Sequence, residues 1–328
     1  MRPTPSEIAL VVPVYNEATL IADTLPRILA QVRQDAPGAN VRLIAIDDGS
    51  QDGTRAALAR LAQGEPGLMY ASFTRNFGKE AAIQAGLQLA LDRTGAAVVV
   101  VMDADLQHPP ALIASLLAHW REGMAVAEAV KRARPAGEGG VRRLAAGVFY
   151  GAFSRLAGLP LDQDTDFKLL DRDVARAVVQ LHERARFFRG IVRWLGHPAA
   201  RVEFDVPERA GGRSGWSLAG LAAYAWRNLT SFSSAPLRLV TGLGATGLAI
   251  GLLLGAKALA DKIEGRALDG FSTVILLQII FSSLVLVSLG IIGSYIARIY
   301  DELKQRPHYV LRPEDVPGAT PPPPHAKP

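Results

Sequence analysis

Apolar runs rich in branched residues recur through the first half of the chain, each followed by a stretch with helical spacing. "IALVVPVYN" precedes a helix-like segment from Glu17 to about Val32, and "VRLIAIDDGS" leads into another from Thr54. "LMYASF" stands before "NFGKEAAIQAGLQLALD". "AAVVVVMDAD" stands before a helix opening at Pro109–Pro110, where proline is tolerated in a first turn. This alternation predicts an α/β fold, a mostly parallel sheet covered by helices on both faces. In such folds ligands gather at the carboxyl ends of the strands. The polar clusters "YNE", "DDGSQDG", "TRNFGK" and "DADLQ" all fall at those ends, so a site is expected there.

Near residue 235 the pattern changes. No charged residue occurs from Leu239 to Ala256, nor from Gly270 to Ala297. A bilayer core needs roughly 20 apolar residues per helix, so two transmembrane helices are expected, at about 237–259 and 270–297. The competing reading of each run is a buried helix of a soluble domain. Gly242, Gly244, Gly247, Gly251 and Gly255 suit close helix packing. Arg227, Arg238, Arg298, Lys304 and Arg306 flank the runs, whereas the connecting "KALADKIEGRALD" balances its charges. The positive-inside tendency then puts both ends of the chain in the cytoplasm. The N-terminus has no secretion-signal pattern, so a first domain over residues 1–215 is expected to stay where it is made. Residues 216–236 read either as an interfacial helix, with Trp216, Tyr224 and Trp226 at headgroup depth, or as an ordinary core helix. The remaining 299–328 is a cytoplasmic tail, proline-rich and expected to be disordered from about Pro313.

Composition adds two constraints. Apolar residues make up 49% of the 328, charged ones 20%, and a net charge of +5 suits an anionic partner such as a membrane surface or a phosphate. With no cysteine, any metal must use oxygen or histidine ligands. Asp103 and Asp105 end a strand that reads as buried on both faces, and side chains at i and i+2 share a face. Two like charges so placed call for a cation between them, with Gln107 able to add a neutral oxygen. All-oxygen ligation favours Mg2+ or Mn2+.

The order and spacing of "VVPVYNE", "DDGSQDGT", "RNFGKE", "DADLQHPP", "DFKLLDR", "RFFRGIVRWLG", "ERAGGRSGW" and "SFSSAPLR" resemble family 2 inverting glycosyltransferases. The resemblance is to the dolichyl- or undecaprenyl-phosphate sugar synthase branch and runs from about Ile8 to Arg306. It implies a GT-A domain passing one sugar from a nucleotide-diphosphate sugar, UDP-glucose or a related UDP-sugar first among candidates, to a polyprenyl phosphate. A bacterial inner-membrane location with a cytoplasmic catalytic domain follows. The resemblance gives Asp103, Asp105 and Gln107 the metal, and Asp105 a part in catalysis through it. It puts Pro13, Tyr15, Glu17 and Asp48 around the nucleotide, with Lys79, Asp103 and Ala104 also on the donor. Asp47 is either a donor contact or a turn-former in "DDGSQDG".

Asp166 falls at the family's proposed base position. A phosphate monoester is already largely ionised at neutral pH (its second pKa is about 6), so Asp166 either acts as base or orients the acceptor or an arginine. Two runs offer cations, "KRARPAGEGGVRR" and "ERARFFRGIVRW", the latter with Arg184, Arg186, Arg189 and Arg193. Such runs read either as a solvated face or as a headgroup site. By resemblance Arg132, Arg143, Arg209 and Ser214 bind the lipid phosphate. The chain departs from the family pattern at Thr165 and Lys168, where glycine and arginine are frequent, and at Gly215, where lysine is. Gly190 replaces the glutamine of the Q-x-x-R-W signature of processive synthases. A processive synthase component and a non-enzymatic nucleotide-sugar adaptor remain as alternative readings. No nucleic-acid module is recognised, and the oligomeric state is open, a homo-oligomer included.

Overall fold

The computed structural model describes residues 1–132, 164–181, 183, 186–205, 235–264 and 271–315. The chain divides into an α/β unit and a unit whose described part is two long helices.

In the first unit, β1 (Glu7–Val14) is buried along both faces. Ile8, Leu10, Val12 and Val14 join one apolar cluster, while Ala9 and Val11 join another. A strand apolar at every position after its first serves two layers at once. One layer is built by α1 (Ile21–Asp35), α2 (Thr54–Gly64) and α4 (Leu112–Arg121), the other by α3 (Lys79–Arg93), α5 (Arg172–Gln180) and α6 (Phe188–Trp194). α1 starts later than the spacing predicts. Asn16 turns the chain with φ 54° and Thr54 Oγ1 holds the Glu17 N–H at 2.9 Å, so residues 17–20 form a turn. α4 likewise starts at Leu112, whose N–H closes a turn onto the Pro109 carbonyl at 3.0 Å.

The remaining strands are β2 (Asn40–Asp47), β3 (Leu68–Ser72), β4 (Val98–Val101), β5 (Val126–Lys131), β6 (Asp164–Asp171) and β7 (Ala199–Phe204), in the order β3-β2-β1-β4-β6-β5-β7. The first four run parallel, and β6 is antiparallel to both β4 and β5. The winding direction reverses between β1 and β4, which opens a crevice at their carboxyl ends. Because β6 runs the other way, its second half pairs with β4, with Lys168 opposite Val101, and its first half runs on past the carboxyl end of β4. That pairing carries Asp166 to the crevice.

Lys168, the departure noted from sequence, is 1% exposed and bonds Glu128 at 2.6 Å and Asp164 at 2.5 Å. Arg201 also reaches Glu128, at 3.0 Å. The lysine is thus a buried counter-ion that joins β5 to β6. Buried charges persist when paired in this way, and a lysine's single ammonium suffices where two carboxylates converge on one point.

In the second unit, α7 (Ala235–Ile263) and α8 (Phe271–Leu303) contain windows, Val240–Lys257 and Leu277–Leu303, long and apolar enough to cross a membrane. Neither window has buried residues, and Leu248, Leu253, Leu286 and Val287 are exposed, which sets these helices apart from a soluble core. Of the five glycines expected at a packing face, Gly247 alone meets described side chains, Phe281 and Leu284. Beside Gly242, Gly244, Gly251 and Gly255 there is open space among the described residues.

The proposed interfacial segment 216–236 lies almost wholly outside the described residues. Of the tail beyond α8, residues 304–315 are described, and the rest lies outside the described residues. Leu311 bridges to Phe73 beyond the end of β3, and Pro313–Asp315 forms a short 3-10 turn.

Candidate active site

Pro13, Val14, Tyr15, Glu17, Asp48, Lys79, Asp103, Ala104 and Asp105 line a cleft of about 210 Å³ at the carboxyl ends of β1, β2 and β4. Each predicted strand end contributes, as the parallel winding requires. The "DDGSQDG" turn seats tightly on its neighbour. A Cβ on Gly49 (φ +68°) would lie 2.2 Å from the Arg75 carbonyl carbon, so only glycine allows this approach. Asp48 then accepts the Phe77 N–H at 2.7 Å and the Gly78 N–H at 3.0 Å. Gly78 (φ +99°) turns the chain into α3 and places Lys79 over the cleft.

Lys79 Nζ lies 2.6 Å from Asp103 Oδ1 and 2.7 Å from Asp166 Oδ2. Asp166, 5% exposed, is also held by Arg189 Nε at 2.7 Å and by a second guanidinium nitrogen at 3.2 Å. Burial alone would raise the Asp166 pKa. The Arg189 hydrogen bonds and the Lys79 charge outweigh it and hold the carboxyl well below the usual carboxylate range. For Lys79 burial pulls the other way, yet Asp166 and Asp103 raise its pKa and keep it a cation.

Opposite this array sits an acidic patch. Burial first, then the charges of Asp105 and Asp103, raise Glu17 to about 7. Its Oε2 is buried with no hydrogen-bond partner among the described residues. His108 stacks on Phe167 at 5.3 Å, and burial lowers its pKa despite Asp103 at 3.9 Å. An orphaned carboxylate oxygen beside two further carboxylates is a donor set that fits a hard divalent cation. Among the described residues no three histidine, aspartate or glutamate side chains are placed to hold a metal ion by themselves. A cation held here would take part of its shell from a ligand.

Strand alternation does not place Asp103 and Asp105, because β4 stops short of both. β4 ends at Val101, and residues 104–108 turn, with Leu106 at φ 55°. Both carboxylates lie past the end of the strand, Asp103 just before the turn and Asp105 within it, and both line the cleft. Asp105 Oδ1 accepts the Gln107 N–H at 3.0 Å, and Gln107 is not among the lining residues. Asp47 is buried and accepts the Ser50 N–H at 3.0 Å, so here it serves the turn and does not line the cleft.

Arg132 pairs with Glu203 at 3.4 Å and Asp205 at 3.1 Å on an exposed edge. Arg143, Arg209 and Ser214 lie outside the described residues, as does Arg184. Arg193 pairs with Asp164 at 3.6 Å, and Arg186 donates to the Leu181 and Val178 carbonyls. The cations of "ERARFFRGIVRW" that the structure describes therefore serve the inside of the unit. Arg189 as the partner of Asp166 was not foreseen, and neither was Glu80. Burial, then the Asp166 charge, raises Glu80 to about 7 although it accepts the Phe188 N–H at 2.7 Å.

Paired carboxylates after β4 and a lysine–aspartate–arginine array beside them thus stand at the carboxyl end of a mostly parallel sheet. The chain belongs to glycosyl transferase family 2, whose model matches residues 9–179. It is 36% identical over 308 residues to the uncharacterized glycosyltransferase YkcC of Bacillus subtilis (strain 168), covering 93% of each chain. To the bactoprenol glucosyl transferase of Shigella phage SfX it is 34% identical over 313 residues, covering 93% of this chain and 99% of that one. The prophage bactoprenol glucosyl transferase homolog of Escherichia coli (strain K12) is 34% identical, with 93% and 98% covered.

Two carboxyls carry a pH signature, Glu17 in the acidic patch and Glu80 behind the array. Glu17 and Glu80 both have folded pKa values raised from 4.5 to about 7. Their contribution to stability is full below about pH 4.5 and is lost as the pH rises through about 7. Glu17→Gln is therefore expected to melt like the unmodified protein at pH 5 and at a higher temperature at pH 8, in chelator. Equal melting temperatures at pH 8 would contradict the placement of Glu17.

Proposed function

We propose that the protein is an inverting glycosyltransferase that moves one sugar from a nucleotide-diphosphate sugar, UDP-glucose first among candidates, to undecaprenyl or a similar polyprenyl phosphate. The observation that carries this reading is that Lys79, which lines one cleft with Glu17, Asp103 and Asp105, pairs with both Asp103 and Asp166, the latter held in turn by Arg189. The names of two relatives, bactoprenol glucosyl transferases, support the acceptor class.

Asp103 and Asp105, with Glu17 beside them, would hold Mg2+ or Mn2+. When bound, such a cation stabilises the charge that gathers on a departing nucleotide diphosphate. Pro13, Tyr15, Asp48 and Ala104 bind the nucleotide side of the donor, and Lys79 donates to its phosphate oxygens. An acceptor phosphate oxygen forms the new bond to the anomeric carbon as the bond from that carbon to the diphosphate breaks. Little proton removal is needed, because a phosphate monoester has its second pKa at about 6. Asp166 accordingly orients Lys79 and Arg189 in this reading. Arg132 can exchange its exposed carboxylate partners for the lipid phosphate, since such surface pairs are worth only about 0–1 kcal/mol. Arg143, Arg209 and Ser214 are proposed to join it. α7 and α8 are proposed to span the inner membrane with the catalytic unit on the cytoplasmic side.

The test is incubation of the purified full chain with a panel of nucleotide sugars and undecaprenyl phosphate, read by lipid mass. The expected product gains one hexose, with UDP-glucose the best donor. Ladders of several sugars would point to a processive synthase. Nucleotide-sugar binding without any product would point to an adaptor.

A further inference from the structure

After α8 the chain returns to the α/β unit and pairs with the open edge of the sheet. The Thr74 N–H donates to the Val310 carbonyl at 3.0 Å, and the Arg312 N–H donates to the Ser72 carbonyl at 2.7 Å. Leu311 bridges antiparallel to Phe73, and Arg312 Nε reaches the Phe73 carbonyl at 3.2 Å. An unpaired edge is a liability that proteins cover, and covering it is the plain structural role of this strap. Two anchors carry it further.

The first anchor is Tyr309. Its ring stacks on Phe73 with centroids 5.0 Å apart, and Phe73, fully buried, meets Phe77 edge-on at 5.6 Å. Phe77 and Gly78 are the residues whose N–H groups grip Asp48, and Lys79 follows at once. The second anchor is Asp315, 7% exposed, which accepts from Arg55 Nε at 2.6 Å, a second Arg55 nitrogen at 3.0 Å and the Tyr70 hydroxyl at 3.2 Å. Arg55 stands in the first turn of α2, next to Thr54, whose hydroxyl holds the Glu17 N–H. One anchor therefore backs the Asp48–Lys79 rim of the cleft and the other backs the Glu17 rim. Both links are chains of direct contact, the physical means by which distant sites couple.

We infer that the strap over residues 306–315 is part of the nucleotide site: Tyr309 and Asp315 are positioning residues that hold the two rims of the cleft at the spacing the donor requires. The inference rests on the donor reading given under Proposed function. It makes the segment that leaves the second apolar helix a determinant of donor affinity, although it never touches the donor.

The experiment uses the full-length protein in detergent, unmodified and as Tyr309→Ala, Tyr309→Phe and Asp315→Asn. UDP binding in Mg2+ is measured by calorimetry, and amide hydrogen exchange is followed without nucleotide. Tyr309→Ala and Asp315→Asn are expected to weaken UDP roughly 5- to 20-fold, a modest coupling between sites. Tyr309→Phe, which keeps the ring, restores affinity. Exchange at Phe77 and Gly78 speeds up in Tyr309→Ala while the β1 and β4 amides stay protected. In turnover assays the donor KM rises and the lipid-phosphate KM does not. Unchanged UDP affinity in both Tyr309→Ala and Asp315→Asn overturns the inference, even if melting temperatures fall, and leaves the strap as an edge cover. Failure of the unmodified protein to bind UDP or another nucleoside diphosphate instead overturns the donor reading, and the exchange at Phe77 and Gly78 then decides whether the strap holds that rim.

Discussion

Asp105→Asn is expected to cut sugar transfer at least ~100-fold, the loss typical of removing one strong electrostatic stabiliser. The substitution is nearly isosteric, and an asparagine oxygen can still accept the Gln107 N–H that Asp105 accepts at 3.0 Å. The turn after β4 should therefore survive, and the measured loss reports the charge. Excess chelator should silence the unmodified protein, and Mg2+ or Mn2+ should restore it. A second readout needs no turnover. Nucleotide binding should depend on added metal in the unmodified protein and lose that dependence in the variant. Full activity in excess chelator would remove Asp103 and Asp105 from the metal role.

Asp166→Asn is expected to lower kcat by about 100-fold or more, since it weakens charge-assisted contacts to both Lys79 and Arg189, each worth about 1.5–3 kcal/mol. The pH dependence separates two roles for this carboxylate. A general base works best with a pKa near the operating pH. Asp166 is instead held well below the usual carboxylate range, against its burial, by Arg189 and Lys79. It stays ionised throughout the range in which the protein can be assayed, so the variant's kcat should fall uniformly from pH 6 to 9 with the profile keeping its shape. Strong recovery at alkaline pH in Asp166→Asn would overturn the orienting role and restore the base.

Glu80 sits behind this array and ties it to α6, through the Phe188 N–H at 2.7 Å. The same helix delivers Arg189. A carboxyl raised to about 7 next to a carboxylate held low is the outcome of unequal partners: Asp166 faces two cations at hydrogen-bond distance, whereas burial dominates at Glu80.

Hydrophobic pattern alone determined the parallel strands β1 to β4, the helices between them and the two long apolar helices. Their residues repeat at the periods that strands and helices impose, and burial on both faces leaves no room for polar positions. The placement of Glu17, Asp48, Lys79 and Asp103 at strand ends was legible for the same reason, since parallel winding collects those ends on one edge. What pattern could not decide was everything that depends on β6. Asp166 is far from Asp103 in the chain, and only an antiparallel strand inserted between β4 and β5 brings it to Lys79. Arg189 looked like one more member of a basic run, and Lys168 stood only as a departure from a family pattern. Their partners come from other elements, and electrostatic pairing across such distances leaves no local periodicity in the sequence. The strap followed the same logic. Nothing in its local pattern announced a contact, yet Tyr309 and Asp315 are held by Phe73, Arg55 and Tyr70, which lie more than two hundred residues away. Local preference sets which segments can form strands and helices. Whether a tail is free or bound, and whether a charge is solvated or paired, is set by the surface that tertiary folding puts beside it.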